Sequence, residues 1–365
     1  MKKKNIYVTK PSLPDLKTFT VYLKKIWDNK IVTNNGPFHR KFEDSLCKYL
    51  DVPFVSLLSN GTIGLILALR ALDIKKEVIT TPYSFIATSN SLIWNNIKPV
   101  FVDVCPNTFN LDPKKIKAAI TPNTTAIMPV HVYGNPCDVD EIDLIAKKNN
   151  LKVIYDASHA FGVECHCGSI LKHGDLSILS FHATKTFNTF EGGAIISKNK
   201  EVKEKIDKLK NFGIINETVV EEFGINGKMS EFNAALGLLQ LKQIDNDIKK
   251  RKKIDIYYRN KLNSVVGITC FSYTNMKKGN YSYFPILVED NYGLTRDQLY
   301  YKLRKNGIYA RRYFFPLITD FKIYKSKSSF NIAKKISNKV ICLPIYPELK
   351  IKSIDLIIKI IKNKF

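Results

Sequence analysis

Short apolar runs, each ending at a turn or loop signal, recur along the first half of the chain and alternate with stretches of helical period. Phe54 to Leu58, Val78 running into a loop at Phe85, Pro99 to Asp103, Thr125 to Val130, Leu151 to Asp156, Leu176 to Phe181 and Ala194 to Ser197 read as strands. Asp15 to Trp27, Phe38 to Leu50, Ile63 to Leu72, Ile86 to Trp94, Pro113 to Ile120 and Val139 to Asn149 read as helices with short connections. Ile63 to Leu72 is apolar almost all round, which predicts a buried helix. The alternation predicts a wound α/β domain on a mostly parallel central sheet flanked by helices.

After Ser197 the pattern changes. Val202 to Asn211 and Ser230 to about Lys250 read as helices, separated by the Gly-punctuated loop Phe223 to Met229. Tyr281 to Val288 predicts a strand, and Thr295-Arg296-Asp297-Gln298 is a capping box opening a helix that Gly307 ends. Tyr309 to Phe315 reads as extended, Pro344 to Pro347 as a fixed turn, and Ser353 to Lys364 as a closing helix. The expected division is a large domain over 1–249 and a smaller C-terminal α+β domain over 250–365.

Composition narrows the setting. At 365 residues with 45% hydrophobic content, the chain has core enough for about two domains without staples. No run approaches the roughly 18 apolar residues of a membrane span. The basic start, Met1 to Ile6, lacks the apolar segment of a signal peptide, so a cytoplasmic protein without membrane partners is expected. Seven cysteines without repeating spacing fit free thiols in a reducing compartment. Cys165-His166-Cys167, with His173 nearby, lacks the usual zinc spacing and reads as loop thiols, so no metal is expected. The 57 basic residues against 33 acidic ones give a net charge of +24, a field that attracts anions. The lysines scatter over helix surfaces, and no nucleic-acid-binding motif accompanies them, which argues against a nucleic-acid partner.

The candidate chemistry collects at strand ends, where open parallel sheets bind ligands. The turn Ser59-Asn60-Gly61-Thr62 precedes a helix, and free N–H groups there make an anion site, although Ser59-Asn60 also reads as a simple cap. Lys185 follows the Leu176 to Phe181 strand in a loop that Gly192-Gly193 returns to the sheet. A lysine held between buried strands is favoured as a neutral, nucleophilic amine; the alternative is an ordinary surface lysine. Asp156 ends another strand, and a carboxylate there suits a pyridine nitrogen that must stay protonated. His159 either contacts the same ligand or hydrogen-bonds backbone. An aldehyde cofactor with a phosphate and a pyridine ring would use Gly61, Thr62 and Ser180 for the phosphate, Phe85 for the ring face and Lys185 for the aldehyde.

With these residues assembled, the chain resembles the DegT/DnrJ/EryC1/StrS family of pyridoxal-phosphate sugar aminotransferases, of fold type I (aspartate aminotransferase-like). The likeness runs nearly end to end, through Asn35-Gly36-Pro37-Phe38, Ser59 to Thr62, Thr81 to Thr88, Pro99 to Asp103 and Pro129 to Gly134. It continues through Asp156 to Ala160, Ser180 to Lys185 with Glu191-Gly192-Gly193, Met229-Ser230-Glu231 and Leu343 to Pro347. The resemblance implies that Lys185 forms the Schiff base with pyridoxal 5'-phosphate and that Asp156 partners the pyridine nitrogen. It further implies that Phe85 stacks on the ring, that Gly61, Thr62 and Ser180 hold the phosphate, and that His159 contacts the 3-hydroxyl side. Asn226 matches the asparagine that reaches the phosphate of the neighbouring subunit, implying a homodimer with shared active sites.

The Phe-His-Ala-Thr-Lys-x-Phe-Asn-Thr-x-Glu-Gly-Gly loop is most similar to family members aminating a nucleotide-linked 4-keto-6-deoxy sugar. The implied reaction moves an amino group from L-glutamate to sugar C4, with pyridoxamine 5'-phosphate carrying it between halves. A dTDP-linked gluco sugar is the expected substrate, in a bacterial surface-polysaccharide (O-antigen) precursor pathway. A 3-keto or UDP-linked sugar, or a galacto product, is the same-family alternative; a non-catalytic basic binding protein on this scaffold is the other. His182, Lys228, Arg311 and Arg312 are the candidates for substrate contact.

Overall fold

A computed structural model describes residues 5–324 and 328–363. Seven strands form the central sheet, in the order Phe54–Leu58, Gly193–Ser197, Leu176–Ser180, Lys152–Asp156, Thr124–Ile127, Glu77–Thr80 and Lys98–Phe101. Only Gly193–Ser197 runs antiparallel to its neighbours. The other six strands therefore point their carboxyl ends to one edge. Gly193, opposite both Leu58 and Ser180, starts the reversed strand at that same edge.

The strands are apolar throughout because both faces are covered. Successive residues feed opposite cores. Val153, Tyr155, Ala194 and Ile196 join a cluster with Phe42 and Leu46 of helix Pro37–Leu50, while Ile154 and Ile195 pack with Leu65 and Leu69 of helix Gly61–Ala71. The second helix is buried, as its all-round apolar pattern predicts. It starts at Gly61, two residues earlier than the periodicity placed it, because the Asn60 side chain accepts from the Ile63 N–H at 2.9 Å.

Helix Glu231–Leu262 extends twelve residues beyond the predicted end near Lys250 (262 against 250). The charged run at 249–253 contains no Gly or Pro, and Ile254, Tyr258 and Leu262 carry a buried stripe onward at four-residue spacing. That stripe packs on the antiparallel sheet Ile268–Cys270, Phe284–Val288 and Val340–Leu343. The strand predicted from Tyr281 begins only at Phe284, since Tyr281 has a left-handed backbone, φ 51°. Of the stretch Tyr309 to Phe315, only Tyr309 lies in a strand, Ile308–Tyr309, which pairs in parallel with Ile6–Tyr7. The expected capping box is present, with Thr295 and Gln298 exchanging hydrogen bonds at the start of helix Arg296–Lys305. The closing helix is Ile351–Lys362, and Lys364 lies outside the described residues.

Candidate active site

The carboxyl edge of the central sheet opens on a cavity of about 340 Å³. Its wall includes Gly61, Thr62, Phe85, Asp156, His159, Ser180, His182, Lys185 and Arg311. Nine of the site candidates named from the sequence thus meet in one place; Asn226, Lys228 and Arg312 do not line it.

On one side stands the start of helix Gly61–Ala71. Gly61 and Thr62, its first two residues, have no carbonyl one turn back to receive their N–H groups, and the helix dipole adds positive potential there. The approach is tight. A Cβ on Gly61 would sit 3.0 Å from Ser180 Cβ, and one on Gly193 would sit 2.6 Å from the Asn60 carbonyl carbon. Glycine at both positions lets the helix start, the Ser180 strand end and the reversed strand converge. Backbone donors and the Thr62 and Ser180 hydroxyls form a cradle for an anion.

Asp156 closes the opposite side and is only 5% exposed. Its Oδ2 accepts the Thr88 hydroxyl at 2.8 Å and its Oδ1 accepts the Ser158 N–H at 3.1 Å. Thr88 in turn lies 2.8 Å from the Ser84 hydroxyl. The carboxyl group is therefore fixed in orientation beside the cavity.

Lys185 sits half-buried on a turn that its own N–H closes to His182 O at 2.9 Å. Burial lowers its amine to about 8, against a smaller opposing pull from Asp156. His159 is pushed well below its usual range, first by burial and then by the Lys185 charge. Its Nδ1 accepts the Tyr133 N–H at 3.2 Å, which leaves the proton of the neutral ring on Nε2 as a donor. The ring stacks on Phe314 at 6.1 Å. One nitrogen thus binds backbone, as one reading of the sequence had it, and the ring lines the cavity.

The C-terminal part supplies the remaining wall. Tyr283, Arg311, Tyr313 and Phe314 line the cavity, and of these only Arg311 was singled out in the sequence. No local signal marked the other three; Tyr313 is held by Tyr83 and Tyr133, distant in sequence. Their buried hydroxyls meet at 2.6 Å, Tyr83 donates to Tyr313 O at 2.9 Å, and Tyr133 binds the same carbonyl. From the same part, Asn280 Nδ2 and Ser282 Oγ both donate to His159 O at 2.8 Å, fixing the loop after Asp156.

Other candidates are engaged elsewhere. Arg312 donates to Asp297 at 2.7 Å and stacks over Tyr300 and Phe315. Lys228 donates to Asn211 at 2.7 Å, with its ammonium over the Phe212 ring. Asn226 is exposed on the 223–229 loop. His182 lines the mouth, its Nδ1 2.8 Å from the Thr184 hydroxyl and its Nε2 3.6 Å from Glu191.

A cradle for an anion, a lowered amine and a held carboxylate suit a phosphorylated pyridine aldehyde. Comparison with known proteins points the same way. Residues 15–362 match the DegT/DnrJ/EryC1/StrS aminotransferase family. The chain is 55% identical over 364 residues to the dTDP-4-amino-4,6-dideoxy-D-glucose transaminase of Shigella dysenteriae, covering 99% of each. Its fold superposes on DesI, solved in the presence of its TDP-sugar product, with TM-score 0.94 and 29% identity over 98% of this chain and 92% of that one. It also superposes on ntda from Bacillus subtilis, solved with bound cofactor PMP, with TM-score 0.87 and 28% identity over 96% and 81%.

Proposed function

The chain belongs to the DegT/DnrJ/EryC1/StrS aminotransferase family, and we propose that it moves the amino group of L-glutamate to C4 of dTDP-4-dehydro-6-deoxy-D-glucose. The products are 2-oxoglutarate and dTDP-4-amino-4,6-dideoxy-D-glucose. The full-length likeness to the Shigella transaminase carries the substrate assignment. The chain is a pyridoxal-phosphate-dependent nucleotide-sugar aminotransferase. When bound, the cofactor supplies an aldehyde for capturing amines and a protonated ring that accepts an electron pair.

The chain's own residues take the following roles in this reading. Gly61 and Thr62 N–H groups with the Thr62 and Ser180 hydroxyls hold the phosphate. Asp156 keeps a proton on the pyridine nitrogen, held in line by Thr88 and Ser158. His159 Nε2–H donates to the 3-oxygen, and Phe85, at the mouth, covers one ring face. Lys185 is the nucleophile, and its Nζ then takes a proton from Cα of glutamate and later returns one at sugar C4. Attack and proton removal need the neutral amine, and lowering it to about 8 raises the neutral share near pH 7 far above that of an ordinary lysine. Arg311 contributes a cation in the wall for the anionic substrates, with His182 beside the mouth.

Asn226 and Lys228 lie outside the cavity of their own chain, which supports assigning the 223–229 loop to the site of a second copy in a homodimer. Phe223 in that loop is 97% exposed, an apolar side chain that such a contact would cover. We take residues 1–249 as a large cofactor-binding unit and 250–365 as a smaller one, and place the enzyme in the cytoplasm, a reading supported by the lack of a disulfide among the described cysteines. No helix among the described residues is long and apolar enough to cross a membrane.

The test is spectroscopic. L-Glutamate added to the purified enzyme should shift the band of the lysine-linked cofactor to that of the amine form, and the dTDP-linked 4-keto sugar should restore it. Restoration by a 3-keto or UDP-linked sugar alone would move the substrate to the same-family alternative. No cofactor band, even after pyridoxal phosphate is supplied, would defeat the reading.

A further inference from the structure

Between the strands that end in Asp156 and Ser180, the chain makes an excursion carrying a second cluster that transamination does not use. Strand Glu164–Cys165 pairs antiparallel with Gly168–Ser169, leaving His166 and Cys167 as a two-residue turn. Gly168 follows at φ 104°, a conformation that favours glycine. The turn brings Cys165 Sγ to 2.9 Å from Cys167 Sγ. The helical turn Ile170–Lys172 then returns His173, whose Nε2 lies 3.4 Å from Cys165 Sγ and 3.1 Å from Cys167 Sγ. All three donor atoms fall within 4.8 Å of one another.

Two thiols and an imidazole share only weak hydrogen bonds, so their mutual attraction is a poor reason to converge. They are, however, a soft donor set. Zinc binds thiolate at about 2.3 Å and imidazole nitrogen at about 2.0–2.1 Å, in tetrahedral geometry. Those bond lengths place tetrahedral ligands roughly 3.5–3.8 Å apart. The imidazole lies close to those separations, whereas the two sulfurs, 2.9 Å apart, are roughly 0.9 Å too near, so Cys167, exposed on the turn, must move outward on binding. Cys165 is buried and fixed by its strand, while the exposed side leaves a position for water.

We propose that Cys165, Cys167 and His173 bind one thiophilic divalent cation of the zinc class per chain, with solvent as the fourth ligand. Binding replaces two thiol protons by the metal, so the two thiolates balance the charge of the cation and two protons are released. None of the three side chains lines the cavity, so the cation is structural. It closes the 165–173 loop beside Glu164, whose N–H and carbonyl bond to the backbone of Lys278 and Lys277 at 2.9 Å. The metal thereby clamps the excursion between two site-bearing strands against the C-terminal part. The spacing Cys-x-Cys-x5-His gave no zinc signal in the sequence because the hairpin, not the spacing, brings His173 back.

The holoenzyme, stripped of metal by a chelator, is titrated with Co2+ and read in the red, away from cofactor absorption. One tetrahedral Co2+ per chain is expected, displaced by Zn2+ and lost in both Cys167→Ser and His173→Gln. The cofactor band reports that these variants remain folded. Competition with a chromogenic chelator should show Zn2+ affinity falling by more than the roughly 10–100-fold that loss of a supporting hydrogen bond costs. Absence of saturable Co2+ binding would overturn the proposal, as would tetrahedral bands surviving in both variants. A thiol count two short in unreduced protein and restored in Cys167→Ser would replace the metal with a Cys165–Cys167 disulfide.

Discussion

Thr88, in the first turn of helix Ile86–Trp94, donates its hydroxyl hydrogen to Oδ2 of Asp156 at 2.8 Å across 68 residues of sequence. Both are buried, so the bond is made where water does not compete. Thr88 is a positioning residue for the carboxylate. Replacing it by isosteric valine removes the donor without emptying the site. The cost of a hydrogen bond to a charged group, ~1.5–3 kcal/mol, predicts a fall in kcat of at least about tenfold. Thr88→Ser should restore most of it. A Thr88→Val enzyme with unchanged kcat and cofactor spectrum would remove Thr88 from this role.

The amine of Lys185 lies at about 8 rather than its ordinary 10.5 because burial penalises the ammonium more than Asp156 supports it. In the window between those values the unfolded chain binds the proton and the folded chain does not, so this group makes stability rise with pH from about 8 upward. Reactivity has the same sign. Uptake of pyridoxal phosphate by cofactor-stripped enzyme, followed by absorbance, should speed up with pH and level off above about 8. A rate still climbing tenfold per pH unit between about 8 and the ordinary lysine value would show an unperturbed amine. His159, held well below its usual range, should add no step near 6.5. Lys185→Ala should lose turnover by at least the about 10²–10⁴-fold attributed to a positioned proton carrier.

Gly61 offers a steric test of the phosphate cradle. A methyl group there meets Ser180 Cβ at 3.0 Å and Ser180 Cα at 3.3 Å, both on a strand in the middle of the sheet that cannot retreat. Overpacking of ~1–3 kcal/mol would weaken cofactor retention about 5- to 150-fold in Gly61→Ala. Equilibrium dialysis of the cofactor checks this. Retention equal to that of the unsubstituted enzyme would mean the phosphate binds elsewhere.

The sheet, its helices and most of the candidates that meet in the cavity were legible because they obey local rules. Strand ends collect ligands, glycine turns bare backbone donors, and one lysine falls between two buried strands. What the sequence concealed was long-range. Thr88 reaches Asp156, Tyr83 and Tyr133 reach the carbonyl of Tyr313, and Ser282 reaches His159 only through tertiary packing. The same holds for Arg311 and Arg312, adjacent in sequence. The first lines the cavity; the second is held by Asp297, a distinction no periodicity carries. The end of helix Glu231–Leu262 was placed too early because the buried stripe Ile254, Tyr258 and Leu262 beyond the charged run was overlooked.

That helix also supplies a test of how the site's scaffold is held. Glu231, its first residue, is fully buried and accepts the backbone N–H groups of Phe38 and His39 at 2.8 and 2.7 Å. Those donors begin helix Pro37–Leu50, whose N-cap, Gly36, makes no side-chain cap of its own. The carboxylate is thus the cap, delivered from 193 residues away. Gly36 must be glycine because a Cβ there would stand 2.5 Å from Glu231 Cδ, although its backbone angles suit any residue. Glu231→Ala orphans two buried donors, at about 1–3 kcal/mol each, and should lower the urea midpoint accordingly. Gly36→Ala should also destabilise, but through the clash with that carboxylate. The two losses should therefore be less than additive in the double variant, since removing Glu231 leaves the new methyl nothing to strike. Strict additivity in a double-mutant cycle would show that Gly36 is required for a reason unrelated to Glu231.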